Sequence, residues 1–154
     1  MTGSRNLLAY GPAENANGLT CSVADDSGLH MEGTLTAGKG VVWEIGTIPP
    51  NEYRIRPMGD DASLYSGTGV YIAVIDMDTG KRLQYWDEGK GENQLLLLSQ
   101  PTRCGFTVIG KINSTGRSFD ATLHPMLALH AKWPETWEPP AALTVQGGNW
   151  PLSP

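Results

Sequence analysis

The stretch Gly18-Leu19-Thr20-Cys21-Ser22-Val23-Ala24-Asp25-Asp26-Ser27-Gly28-Leu29-His30-Met31-Glu32-Gly33-Thr34-Leu35 decides the fold. Leu19, Cys21 and Val23 alternate with Thr20, Ser22 and Ala24. Leu29, Met31, Gly33 and Leu35 alternate in the same way with His30, Glu32, Thr34 and Thr36. A side-chain period of two sends one set to a core and the other to water, which defines a half-buried strand. Asp25-Asp26-Ser27-Gly28 joins the two runs as a hairpin loop, with Gly28 expected where a positive φ is tolerated.

The pattern repeats outward from this hairpin. Val41, Trp43 and Ile45 point one way with Glu44 opposed. Tyr53 and Ile55 alternate with Glu52, Arg54 and Arg56 after the Pro49-Pro50-Asn51 turn. Val70-Tyr71-Ile72-Ala73-Val74-Ile75 is apolar on both faces, so a central strand covered on each side is expected there. Asp76-Met77-Asp78-Thr79-Gly80 turns the chain into Arg82-Leu83-Gln84-Tyr85-Trp86. Gln94 to Ser99, Gly105 to Ile112 and Phe119 to Leu123 follow, making about nine short strands in all. No segment sustains a helical period with caps. Nineteen glycines and eleven prolines suit many tight turns and count against a helical bundle.

The expected fold is therefore all-β. Residues 1–132 should form an antiparallel two-sheet β-sandwich (jelly roll), with a closed barrel as the alternative. From Trp133 the chain changes in kind. Pro134, Pro139, Pro140, Gly147, Gly148, Pro151 and Pro154 disfavour regular structure, so residues 133–154 should form an extended Pro/Trp-rich C-terminal arm. Trp133, Trp137 and Trp150 are its candidate interface residues, because indoles are seldom left in water. An assembly arm docked on a neighbouring subunit is the expected placement, and folding back over an open edge of its own sheet is the alternative.

Eleven basic against sixteen acidic residues give a net charge of −5, and no basic cluster provides the footprint of nucleic-acid binding. The longest apolar run, Leu95-Leu96-Leu97-Leu98, is strand-sized, against the roughly 20 residues that a membrane-spanning helix needs. Met1 to Asn6 lacks an apolar core, so no secretory signal is expected and synthesis is placed in the cytoplasm. Charged residues are only 18%, below the usual quarter or so, which suits a particle subunit or a sugar reader. Cys21 and Cys104 are compatible with a disulfide, but two buried free thiols are the expected state.

Several motifs, in order, carry a family likeness over roughly residues 5 to 140. They are Asn6-Leu7-Leu8, the hairpin quoted above, Ile48-Pro49-Pro50-Asn51-Glu52-Tyr53-Arg54-Ile55, His124-Pro125-Met126-Leu127 and Trp137-Glu138-Pro139-Pro140. In this arrangement the chain resembles the carbohydrate-binding-module-like jelly rolls of bacteriophage tail and other virion proteins, which usually write Gly where Asn51 stands. The resemblance implies a non-enzymatic virion structural protein, made in the host cytoplasm. Its closest fit is a minor tail subunit, associated with the tail tip or baseplate, acting in assembly and host-surface glycan contact. The partners implied are other virion subunits, including copies of itself, and host-surface glycans. A capsid decoration or head-fibre subunit is the alternative within the particle. A stand-alone carbohydrate-binding module is the alternative from another class.

Catalytic and metal motifs are sparse. His30, His124 and His130 show no H-x-x-x-H or H-E-x-x-H spacing, and G-x-S-x-G is absent. The carboxylate pairs Asp25/Asp26, Asp60/Asp61, Asp76/Asp78 and Asp87/Glu88 all fall in expected turns, not on facing strands as glycosidase chemistry requires. No catalytic residue and no cofactor is expected. Jelly rolls of the resembled type often hold a structural calcium, which makes Asp76 and Asp78 candidate ligands. The plain reading, Asp and Gly shaping a hairpin turn, is favoured because the closing Glu of a calcium loop is missing. A sugar site needs an aromatic platform with amide and acid partners. Gln84, Tyr85, Trp86 and Asp87 fit that composition, with Tyr85 and Trp86 facing opposite sides of their strand. Tyr53, Tyr65 and Tyr71 are the other candidate rings.

Overall fold

A computed structural model of the chain describes residues 4–59, 62–87 and 95–152. Asp60, Asp61, Glu88 and Gln94 lie outside the described residues, as does Pro154 of the expected arm. Among the described residues there is no α-helix, and no helix long and apolar enough to cross a membrane. The described residues form twelve strands: β1 (Ala13–Ala16), β2 (Leu19–Val23), β3 (Leu29–Thr34), β4 (Gly40–Ile48), β5 (Asn51–Pro57), β6 (Val70–Asp76), β7 (Arg82–Trp86), β8 (Leu95–Leu98), β9 (Thr102–Gly110), β10 (Ser118–Leu123), β11 (Pro125–Leu129) and β12 (Gly148–Trp150).

The strands pair antiparallel in three sheets, ordered β1-β2-β3-β10, β11-β5-β8 and β12-β4-β9-β6-β7. The first two are linked through one nearly continuous run. Ser118 to Leu123 pairs with β3 and, after His124, Pro125 to Leu129 pairs with β5. The five-stranded sheet packs against this layer around a single core, giving the expected all-β sandwich. Leu29, Met31, Val41 and Trp43, which alternation sends inward, are fully buried, and so are Ile72, Val74, Phe106 and Val108. At the centre Trp43 stacks on Phe106 with ring centroids 5.8 Å apart, and Tyr10 meets Trp43 edge-on at 6.4 Å. Ala73, Ile75, Thr107 and Ile109, on the opposite face of β6 and β9, are also buried, as the two-sided apolar run of β6 requires.

Three strands escape the alternation. β1 and β12 are too short to show a period, and β11 is buried along four of its five residues. Pro125 is tolerated because it opens its strand. The hairpin between β2 and β3 is present, but Ser27 takes the left-handed backbone (φ 70°), not Gly28. Gly28 is required for space instead. A Cβ there would lie 2.8 Å from Thr122 Cγ2 and 3.0 Å from His124 Nε2.

The segment from Trp133 is laid on its own sandwich, the second of the two placements open to it. Residues 138–150 run parallel to residues 5–17. Arg5 pairs with Glu138, and the Asn6 amide donates to the Glu138 carbonyl. Tyr10 N–H donates to Ala142 O, Gly147 N–H to Pro12 O, and Asn17 N–H to the Asn149 side chain. β12 then closes the edge of β4, with Asn149 opposite Val41. The two ends of the chain share one set of hydrogen bonds.

Candidate functional site

β7 lies at the edge of the five-stranded sheet, paired to β6 with Ile72 opposite Trp86, Ala73 opposite Tyr85 and Val74 opposite Gln84. Partners directly across a ladder share a face. Trp86 and Gln84 therefore point inward with Ile72 and Val74, while Tyr85 points outward. The inward pair is engaged by the protein itself: Trp86 meets buried Tyr65 edge-on at 5.3 Å, and the Gln84 amide donates to Leu95 O at 2.7 Å. Asp87 follows the strand, half-buried. The three strand residues singled out by composition are thus divided between two faces, Gln84 and Trp86 inward and Tyr85 outward.

Tyr85 is joined there by two residues that sequence spacing does not group with it. Its ring meets Tyr71 at 5.7 Å and 69°. The Arg82 guanidinium lies 4.1 Å from the Tyr85 centroid and 5.6 Å from that of Tyr71, and its Nη1 donates to Tyr71 Oη at 3.1 Å. Arg82 and Tyr85 are three apart and would normally face opposite sides. A bulge opposite Val74 and Ile75 inserts Leu83 and turns Arg82 to the face of Tyr85. The result is a ring–guanidinium–ring cluster on the outer face, with a fixed donor and a phenol at its rim.

The candidate calcium ligands have protein partners. Asp76 Oδ1 accepts from the N–H groups of Asp78 and Thr79 at 2.8 and 3.2 Å, shaping the turn, while Asp78 pairs with Arg103 at 3.0 Å. Arg103 also grips both oxygens of Glu44 at 2.8 Å, which holds the Glu44 carboxyl below the usual range. The hairpin-turn reading describes this segment.

Of the candidate interface tryptophans, Trp133 lies under the Arg54 guanidinium at 4.9 Å. Trp137 Nε1 donates to Pro125 O at 2.9 Å, and its ring meets His124 edge-on at 4.9 Å. Trp150 belongs to β12. All are partly buried against their own chain. His124 Nε2 is in turn 2.7 Å from Asp26, and this bond, with the Gly28 N–H, lowers the Asp26 carboxyl below its ordinary value. A cleft of about 260 Å³ opens nearby, its walls made largely by Leu7, Pro49, Tyr53 and Leu129, with Arg5 and Lys132 also lining it.

Compared with known proteins, the chain matches no family model, no curated protein and no solved structure.

Proposed function

We propose that this chain is a non-catalytic contact subunit of a bacteriophage virion, a minor tail component of the tail tip or baseplate, that meets host-surface glycans. The jelly-roll resemblance of its motifs supports the class. The observation that carries the contact role is the outward cluster of Tyr71, Arg82 and Tyr85, fixed by the bulge in β7. A pyranose offers an apolar C–H face to an aromatic ring and hydroxyls to neighbouring donors, and this cluster supplies both.

The reading assigns separate consequences to adjacent residues. Tyr85→Ala should weaken binding to host cell envelopes by about fivefold or more, corresponding to about 1 kcal/mol for a truncated anchor, with little change in melting temperature. Trp86→Ala should lower the melting temperature, because it opens a space against Tyr65. Undiminished envelope binding by the double variant Tyr71→Ala/Tyr85→Ala would remove the contact role. Antibody labelling of purified particles tests the location: signal at the tail tip is expected, and signal spread over the capsid would favour a decoration subunit instead.

A further inference from the structure

On the opposite layer, the outer face of β3 and β10 carries a second constellation, and we propose that it is a binding site for a first-row divalent transition metal of the zinc class. Its ligands are His30 Nε2, Glu32 and Asp120, whose donor atoms all lie within 4.8 Å of one another. Among the described residues this is the one group with such a donor set.

The sheet builds the site by register. His30 and Glu32 are two apart on β3 and share its wet face, because Leu29 and Met31 fill the core. Asp120 stands directly opposite Glu32, and Thr122 directly opposite His30. Two carboxylates facing each other across a ladder repel, and a cation between them would offset that repulsion. His30 is positioned to share it. Its Nδ1 lies 2.9 Å from Thr122 Oγ1, and its Nε2 points at the acids, 3.1 Å from Asp120 and 3.9 Å from Glu32. Zinc bonds of about 2.0–2.1 Å set ligand atoms roughly 3.3–3.5 Å apart in a tetrahedron, between those two separations.

The chemistry of the donors selects the ion. A metal-ligating histidine is oriented by an oxygen partner on its other ring nitrogen, and Thr122 Oγ1 stands in that place for His30. One imidazole and two carboxylates fall short of the six to eight oxygens that calcium takes. Three protein ligands leave a coordination position for water. The side chains are accessible, with His30 32%, Glu32 58% and Asp120 73% exposed, so an ion can enter without opening the sheet. Bound there, it would clip β3 to β10 and raise the melting temperature with its concentration.

Titration of the full chain with zinc tests the site. One equivalent should bind near neutral pH, with a shift of the His30 ring resonances and a rise in melting temperature, while calcium at equal concentration gives neither. His30→Ala should abolish binding, Asp120→Asn should weaken it, and Thr122→Val should weaken it roughly 10-fold or more by releasing Nδ1. His124→Ala and His130→Ala should leave it unchanged. Failure to saturate below millimolar zinc, or binding that survives in both His30→Ala and Asp120→Asn, would overturn the proposal.

Discussion

Cys21 and Cys104 are both free and both buried, and burial pushes their thiols up to about 12 and about 11. The sign follows from linkage. A folded value above the unfolded one, near 8.5, gives stability that is complete below that value and is lost as pH rises through the folded values. Thiol reagents at pH 8 should therefore leave both cysteines unmodified in the native protein and label both in urea, as read by mass spectrometry. Gly40 is a different kind of residue. A Cβ on it would lie 1.8 Å from Val108 O on the neighbouring strand, a backbone atom with nowhere to move. Gly40→Ala should cost about 3 kcal/mol, measured as a lower urea midpoint with an unchanged slope.

At the scale of elements, the segment after Lys132 behaves as part of the sandwich. It supplies the edge strand β12, the partner of Arg5, hydrogen bonds to the backbone of Tyr10 and Pro12, and a glycine, Gly147, packed against Trp43 and Ala13. A chain ending at Lys132 should aggregate or melt lower by roughly 10 °C or more, since each kilocalorie is worth about 2–4 °C at this size. An unchanged melt in calorimetry would make the segment a separable arm. Proline keeps the segment out of the sheets over most of its length, and that much is legible in the sequence. Which chain it lies on is not, because three tryptophans specify apolar burial and no partner.

For the whole molecule, three surface pairs tie distant parts together: Arg5–Glu138, Asp26–His124 and Glu44–Arg103. Each carboxyl is held below its ordinary value, first by the side-chain hydrogen bond to its partner. A lowered folded value contributes stability above the unfolded value, about 4, and loses it as pH falls further. Calorimetry should show the melting temperature falling below pH 4, with a smaller fall in molar salt, because exposed pairs are screened. Alternation by itself determined the class of fold and its core. Leu29, Met31, Val41 and Trp43 each occupy the inward phase of a period-two run, and a period fixes a face whatever lies beyond it. Register, bulges and the pairing of distant strands were decided only by the tertiary structure. Arg82 joins Tyr85 because of one inserted residue, and Asp120 meets His30 across a ladder between segments far apart in the chain. Such neighbours are set by which strands pair and where they slip. That choice is made by the summed burial of the whole core, and no local pattern of residues records it.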